Sequence, residues 1–388
     1  MKKEEFKKFN SFFMGGFECA DHINRSGKRI NLLEETEHHL RAAQDFELLL
    51  ELGISVVREG VCWSKVEKAP FIFDFSSLRT RFEAADRLGV QIIWDLCHFG
   101  YPVDLVPTHP QFTERFMAYC RAFALYHHSC TDAPLLVVPI NEISFLSWHS
   151  GDMRGTVPFA VNSGFDIKYH LCKGAIEGMK VLKQTDSSCK ILVVEPLVKV
   201  HPANDELGLQ ELDELNSHQF QAIDIIAGRM CPELEGSTDL FDIIGVNYYY
   251  NNQWDHYNRV LLWPSPEDEL TPLSQLLLTA YQRYQKPLIL SETGHFGDLR
   301  PQWLQEISRE CMRAIYLGVD LSGICIYPVI DRPDWDDLSS YSNCGIWDMD
   351  QFKNRIPHKP SLEIIRQASI FLEENAGQKD DLILKELE

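Results

Sequence analysis

Eight short and nearly continuous apolar segments recur along the chain, and segments with helical periodicity lie between them. The apolar segments are 12–17, 54–58, 90–95, 135–140, 190–195, 242–248, 287–291 and 322–327. Continuous rather than alternating hydrophobicity is typical of parallel strands that are buried on both faces. The pattern therefore predicts eight parallel strands separated by helices.

The intervening helical segments share one feature, which is a glycine between the helix and the next strand. The segment 36–53 ends at Gly53, and the segments 79–89 and 305–318 also end at a glycine. A glycine at this position is the usual stop signal of a helix. In the first of these segments we expect one apolar face, made of Leu40, Ala43, Phe46, Leu49 and Leu50.

Repetition of the strand–helix unit favours a closed barrel over an open doubly wound sheet. We expect α/β architecture, with residues 1–375 forming a single (β/α)8 TIM barrel and residues 376–388 a charged C-terminal tail. Long segments interrupt the rhythm after the sixth strand (251–285) and after the eighth strand (329–359). Long loops after barrel strands commonly build the substrate pocket.

Composition narrows the possible partners of this fold. The net charge is −20, from 57 acidic and 37 basic residues. Such a surface repels phosphate backbones and anionic lipid, so neither nucleic acid nor membrane is an expected partner. The 11 cysteines contain no close CxxC pair, which favours reduced thiols and a cytoplasmic location. No GxGxxG motif follows the first strand, so no dinucleotide cofactor is expected. The oligomeric state is left open.

Two carboxylates, Glu142 and Glu292, directly follow strongly apolar strands, in LLVVPINE and PLILSE. Because the reactive groups of a barrel come from the carboxyl ends of its strands, these two can face each other across a ligand. Such a pair is what glycoside hydrolysis requires, one as proton donor and the other as nucleophile or base. A single strand-end glutamate is more often a structural ion pair or a helix cap, and two together make that alternative weaker.

The chain resembles the clan A glycoside hydrolases, and most of all the family 1 β-glucosidase-like enzymes. Asn141-Glu142 resembles that family's Asn-Glu at the end of strand four, and Ser291-Glu292-Thr293-Gly294 resembles its Glu-Asn-Gly after strand seven. Other motifs follow in chain order: Arg58 with Trp63-Ser64-Lys65, Asp95 to His98 with Pro102, Gly245-Val246-Asn247-Tyr248-Tyr249, and Tyr327 to Trp335.

The sequence also departs from the family's pattern at the expected sugar pocket. Phe99 and Tyr327 stand where the family has tryptophan, and Asp334 stands where it has glutamate. The family's strand-one glutamine has no clear equivalent, although His22 lies near that place. The identity of the sugar and of the aglycone is therefore left open.

The resemblance implies a retaining β-glycosidase that acts on small β-glycosides or oligosaccharides, with Glu142 as acid/base and Glu292 as nucleophile. It also implies that Arg58 and Tyr249 stabilise the charge of Glu292, and it requires no metal or cofactor. Substrate contacts are expected from Arg58, His98, Asn141, Asn247, Tyr249, Asp334 and Trp335.

Several alternatives stay open from the sequence. Glu195 ends strand five and is expected to be structural, whereas His149, just past Glu142, could equally contact substrate. A transglycosidase or another glycan-processing protein of a polysaccharide pathway would need an apolar acceptor site, for which Trp254, Tyr257 and Trp263 are candidates. A non-catalytic sugar-binding barrel is the third interpretation.

Overall fold

The computed structural model of the chain describes residues 9–203, 208–265 and 270–375, with the side chains of 371–375 left out. The expected tail 376–388 lies outside the described residues, so the division into barrel and tail stays a prediction. No helix in the described ranges combines the length and the hydropathy that crossing a bilayer needs.

Eight parallel strands form a closed barrel in chain order, as the sequence predicts. The barrel closes where the first strand pairs with the last, with Gly15 opposite Ile326. The strands are β1 (Phe13–Gly16), β2 (Val56–Gly60), β3 (Gln91–Cys97), β4 (Leu136–Ile140), β5 (Lys190–Pro196), β6 (Ile243–Asn247), β7 (Leu288–Thr293) and β8 (Leu321–Ile326).

A helix follows each strand on the outside of the barrel. These helices are α1 (His38–Leu50), α2 (Arg79–Leu88), α3 (Phe112–Cys130), α4 (Gly164–Thr185), α5 (Gln221–Ile226), α6 (Leu273–Tyr284), α7 (Arg300–Tyr316) and α8 (Lys359–Asn375). Shorter helices span Leu32–Glu35, Trp63–Val66, Ile143–Gly151 and Leu209–Ser217. Single 3-10 turns span Ser76–Leu78, His218–Phe220, Pro232–Leu234, Thr238–Leu240 and Gly297–Leu299.

The apolar residues separate into two cores. One fills the barrel interior, and the other, larger one lies between the strands and the ring of helices. Each fully buried aliphatic side chain contributes about 1.5–3 kcal/mol relative to its exposed state. The interior core consists of Phe9, Met14, Val56, Ile93, Leu136, Val138, Leu192, Val194, Ile243, Ile289, Cys325 and Tyr327.

The buried face of α1 differs from the one that the sequence predicts. Leu40 is 73% exposed, whereas the polar residues His38 and Asp45 are buried beside Ala42 and Phe46. The predicted face is rotated about the helix axis relative to the observed one, because the prediction counted apolar residues alone. His38 and Asp45 are polar and are buried through a hydrogen bond to each other. The glycine stop of α2 is confirmed, since Gly89 adopts a left-handed φ of 70° directly after the helix.

The two long segments after β6 and β8 contain more regular structure than expected. The stretch 251–285 includes α6, so only its first part is a loop, and that part carries strands at Gln253–Asp255 and Val260–Leu261. Gln253–Asp255 pairs with Lys199–His201 to make a small sheet above the barrel. After β8, the strands Trp347–Met349 and Arg355–Pro357 form a hairpin. Both excursions lie at the carboxyl ends of the barrel strands, where a site is expected.

Candidate active site

Asn247, the last residue of β6, bonds to the residue after β4 and to a residue of β7. Its Nδ2 donates to Oε1 of Glu142 at 2.9 Å, and its Oδ1 accepts from the hydroxyl of Ser291 at 2.6 Å. In the sheet register Asn247 is also the backbone partner of Glu292. The barrel therefore brings Glu142 and Glu292, which are 150 residues apart in the sequence, close enough for the charge of one to act on the other.

Glu292 lies within β7, is 4% exposed, and accepts a hydrogen bond at each oxygen. Arg58 Nη1 donates to Oε1 at 3.0 Å, and the hydroxyl of Tyr249 donates to Oε2 at 2.9 Å. Burial raises the pKa of Glu292, and the charges of Arg58 and His98 oppose it. Because donors face both oxygens, we assign the negative charge of the carboxyl pair to this residue.

Glu142 follows β4 in a left-handed conformation, with φ of 46°, immediately before the helix Ile143–Gly151. This backbone region is costly for a residue with a side chain, and such residues occur most often at functional sites. Burial, and then the charge of Glu292, raise the pKa of Glu142 to about 8. With no hydrogen-bond donor other than the Asn247 amide among the described residues, Glu142 holds its proton at neutral pH.

Arg58 is fully buried and holds three strand ends together. Besides Glu292, it donates from Nη2 to Oδ2 of Asp95 at 2.7 Å and to Oδ1 of Asn141 at 3.2 Å. It also donates from Nη1 to the backbone oxygen of Ser291 at 2.7 Å. A planar guanidinium suits this task because its donors have a fixed fork geometry.

His98, just past β3, extends the cluster toward β8. Its Nδ1 lies 3.2 Å from Oδ2 of Asp95, and its Nε2 lies 3.5 Å from both the Tyr327 hydroxyl and Asn141 Nδ2. Burial lowers the pKa of His98, but the bond to Asp95 and the charge of Glu18 outweigh it, so the pKa is raised.

Glu195 at the end of β5 plays a positional part, as the sequence predicts. Its two oxygens accept from the backbone N–H of Ser144 at 3.0 and 3.3 Å, in the first turn of the helix Ile143–Gly151. A carboxylate at a helix N-terminus is favourable, because the first N–H groups have no partner within the helix. Burial raises the pKa of Glu195 to about 7. Since Glu142 immediately precedes this helix, Glu195 positions the candidate acid/base.

The two adjacent candidates Asp334 and Trp335 point to different places. Asp334 is exposed, and its Oδ1 accepts from the backbone N–H groups of Asp336 at 2.8 Å and Asp337 at 3.2 Å. Its carboxylate therefore stabilises a turn of its own loop, and its expected contact with a sugar stays a prediction. The ring of Trp335 packs against His22, with centroids 4.9 Å apart.

Aromatic rings continue from Trp335 to the rim beside Glu142. Phe145 stacks on His149 at 5.3 Å between centroids and contacts Trp335 at 6.1 Å. Trp148 follows at 5.9 Å from Phe145 and is 47% exposed. His149, whose role the sequence left open, therefore packs among these aromatic rings. Of the candidate acceptor residues, Trp263 packs against Trp303 at 5.1 Å.

Two residues of the cluster were missed by sequence reasoning, Glu18 after β1 and Arg332 after β8. Arg332 Nε lies 3.4 Å from Oε2 of Glu18, and Glu18 Oε1 lies 3.7 Å from Nε2 of His98. Each left a signal in the sequence. Glu18 is a charged residue two positions past an apolar strand, and Arg332 is an arginine where the resembled motif has asparagine.

Cys19, Asp95 and His98 each offer an atom within 4.8 Å of the others, which is a spacing that could suit a metal ion. The electrostatics do not favour a cation there, because Arg58 already donates to the same Asp95 oxygen. Burial also raises the pKa of the Cys19 thiol well above its ordinary value, whereas a metal ligand is a thiolate. We therefore describe the three residues as part of a hydrogen-bonded cluster.

The chain is similar in fold to solved β-glucosidases of Thermotoga maritima. One, in complex with methoxycarbonyl-substituted glucoimidazole, superimposes with a TM-score of 0.76 at 16% identity, covering 95% of this chain and 99% of that one. Another, in complex with castanospermine, gives 0.75 at 17% identity, covering 96% and 100%. At this identity the likeness shows the fold, which is a β-glucosidase-like (β/α)8 barrel.

At the sequence level, the chain is 28% identical over 105 residues to the 6-phospho-beta-glucosidase AscB of Escherichia coli (strain K12). The match covers 26% of this chain and 22% of that protein, so it spans about a fifth of the relative's length. No family model matches the chain.

Proposed function

We propose that this protein is a retaining β-glycosidase that cleaves small β-glycosides or oligosaccharides, with Glu292 as nucleophile and Glu142 as acid/base. The observation that carries the proposal is the difference between the two carboxyls. Arg58 and Tyr249 donate to the two oxygens of Glu292, whereas Glu142 has a pKa of about 8 and, within the part of the chain that the structure describes, one amide donor. A pair of carboxyls with separated proton affinities is what double displacement needs.

In the first step, an oxygen of Glu292 forms a bond to the anomeric carbon as the glycosidic carbon–oxygen bond breaks. The proton of Glu142 passes to the departing oxygen, so the aglycone leaves as a neutral alcohol. The negative charge of Glu292 is consumed in the ester. This removes the second-largest cause of the raised pKa of Glu142, which is the charge of Glu292.

In the second step, Glu142, now ionised, takes a proton from water while the water oxygen attacks the anomeric carbon. The ester bond to Glu292 breaks, and its carboxylate returns to the donors Arg58 and Tyr249. Two inversions give net retention at the anomeric carbon. Asn141, whose Oδ1 accepts from Arg58 at 3.2 Å, is the proposed contact of the sugar hydroxyl next to that carbon.

The neighbouring structures and the partial relative support this proposal by their described activities, those of β-glucosidases and of a 6-phospho-β-glucosidase. Their identities to this chain are low, so the activity of this chain has to be tested directly. A panel of nitrophenyl glycosides identifies the sugar, and product analysis with an added acceptor separates hydrolysis from transfer.

The experiment is a panel of nitrophenyl glycosides of both anomers, with Glu292→Ala and Glu142→Ala as paired variants. Wild-type protein should release nitrophenol from β-glycosides only, with NMR showing the β-anomer first. Glu292→Ala should be inactive, and azide should restore a glycosyl azide of inverted configuration. Glu142→Ala should instead yield an azide product of retained configuration, because its nucleophile is intact.

Hydrolysis that survives in Glu292→Ala without azide would remove this residue from the nucleophile role. An α-anomer as first product would replace the retaining mechanism with an inverting one. Tight binding of a glycoside without any turnover would favour a sugar-binding barrel, and product analysis with an added acceptor sugar would reveal transfer.

A further inference from the structure

We infer that Glu18 and Arg332 select an uncharged glycone, and that Glu18 is the group that excludes sugars carrying a carboxylate or a phosphate. The inference rests on the proposed glycosidase function and specifies the substrate class of that same site. Closure of the barrel brings Glu18 and Arg332 together, because β1 pairs with β8 and each residue follows one of these strands.

The pair is part of a row of side chains that alternate in charge across the mouth of the barrel. Successive contacts measure 3.0, 2.7, 3.2, 3.7 and 3.4 Å. The row holds three carboxylates against two guanidinium groups and one imidazole, so its positive groups do not outnumber its negative ones. In order, the row is Glu292, Arg58, Asp95, His98, Glu18 and Arg332.

A balanced buried row has no excess positive charge to offer an anionic substrate. Arg332 is 17% exposed in its side chain and Glu18 is 5% exposed, so water screens this pair only weakly. A glycone with a carboxylate or phosphate would add a negative charge beside Glu18 and Glu292. Burying such an unpaired charge is costly, so these sugars are rejected.

Two polar atoms without a hydrogen bond lie on rings that pack close to Arg332. Within the described ranges these are His22 Nδ1 and Trp335 Nε1, both buried, and the Trp335 ring contacts both His22 and Arg332. Burial, and to a smaller extent the neighbouring His149, lower the pKa of His22 to about 3, so its imidazole is neutral. Neutral hydroxyl groups, which both donate and accept, satisfy this set without changing the charge balance.

Glu18 and Arg332 can each bind one of two neighbouring hydroxyl groups of a sugar. The Glu18 carboxylate accepts from a sugar hydroxyl, while the Arg332 guanidinium donates to its neighbour. Glu18 keeps its own orientation through the backbone N–H of Ala20, which donates to Oε1 at 3.0 Å. Arg332 is likewise held from Nη1, which donates to the backbone oxygen of Pro333 at 3.1 Å.

The test compares matched nitrophenyl β-glycosides, in gluco and galacto configurations, as the neutral sugar, the 6-phosphate and the 6-carboxylate. Wild-type protein should favour the neutral sugar in kcat/KM. Glu18→Gln keeps the acceptor for Ala20 but leaves Arg332 unbalanced. This variant should shift the neutral-to-anionic ratio toward the anions by about 10- to 100-fold, the worth of one charge-assisted contact.

Two further variants show whether charge is the cause. The double variant Glu18→Gln with Arg332→Gln restores the balance, and it should lose the gained preference for anions even if it is slow. Glu34→Gln removes the same charge from an exposed pair with Lys65, so it should leave the ratio as in wild type. A general loss of folding would lower kcat/KM for all substrates together and would leave the neutral-to-anionic ratio unchanged.

Wild-type protein that cleaves the 6-phosphates or uronides as well as the neutral sugars would overturn the inference, and so would an unchanged ratio in Glu18→Gln. If no glycoside is cleaved, the proposed function fails, and the glycone inference is then decided by calorimetry with methyl β-glycosides and their 6-phosphates. Binding of the neutral sugar alone supports it. Binding of the phosphate, or of neither, contradicts it.

Discussion

Arg58 and Glu59 are consecutive residues of β2, both fully buried, and they belong to two different networks of charge. Successive side chains of a strand point to opposite faces, so one faces the barrel mouth and the other the surrounding helices. Arg58 joins the row that includes Glu292 and Asp95. Glu59 joins a second network at α1 and α2.

The second network is closed at its carboxylates, because each oxygen of Asp45 and Glu59 has a hydrogen-bond partner. Both ring nitrogens of His38 take part, 2.7 Å from Asp45 and 2.6 Å from Glu59. Arg81 donates to the other oxygen of Glu59 at 2.9 Å, and Arg355 donates to both oxygens of Asp45 at 2.7 and 2.8 Å. Both carboxylates are therefore fully paired.

The difference between the networks separates a structural role from a chemical one. Burial raises the pKa of Glu59, but His38 and Arg81 outweigh it, so the pKa is lowered and the group stays ionised. At the mouth, Glu142 has a pKa near 8 and Trp335 Nε1 has no partner in the described part of the chain. A closed network fixes a fold, whereas an open one leaves bonds for a substrate.

The largest effect is expected from Arg58→Met. The variant leaves Glu292 and Asp95 without their shared cation, so the pKa of Glu292 rises further and the nucleophile is protonated. We expect kcat/KM on a nitrophenyl β-glycoside to fall by at least about 100- to 1000-fold. Arg58→Lys is the control, since it keeps the charge without the fork geometry and should retain part of the activity. Full activity in Arg58→Met would contradict the chemical role assigned to the face of β2 that carries Arg58.

Glu59→Gln should affect stability rather than chemistry. It leaves Arg81 without its buried counter-charge and leaves His38 with Asp45 alone, which costs about 3–5 kcal/mol of unfolding free energy. Denaturant unfolding measures this loss, and kcat per folded molecule should be unchanged. A variant with wild-type stability but impaired catalysis would contradict the structural assignment.

The same variant makes a pH prediction. The pKa of Glu59 is lowered in the fold, so its stabilisation is present above the unfolded value of about 4.3 and is lost as pH falls through the lowered folded pKa. The difference in unfolding free energy between wild type and Glu59→Gln should therefore shrink in acid. A difference that grew as the pH fell would mean that Glu59 is not ionised in the native network.

The smallest effect is expected from Glu195→Gln. The alkaline fall of kcat/KM should follow Glu142, with an apparent pKa of about 8. Glutamine still accepts from Ser144 but removes one negative neighbour of Glu142, so the alkaline limb should move to lower pH by less than about one unit. Glu142→Gln is the matched control and should lose this limb. A limb that stays in place, or moves upward, would show that Glu195 does not act on Glu142.

Much of the architecture could be predicted from local pattern. All eight barrel strands overlap the apolar segments read from the sequence, because strands buried on both faces are mostly apolar. Glu142 and Glu292 stand out for the same reason, since a charged residue directly after such a strand is conspicuous. The glycine after α2 marks a helix end because the left-handed conformation suits glycine.

Only the tertiary structure decided the partners of the charged groups. Glu18 and Arg332 are 314 residues apart, and they meet because β1 closes the barrel against β8. His38 and Asp45 lie outside the apolar face that the sequence predicts for α1. They are buried because Glu59 and Arg355 complete their hydrogen bonds. Hydrophobic periodicity records burial of apolar groups, but the pairing of buried charges depends on distances between strands and helices, which local sequence does not contain.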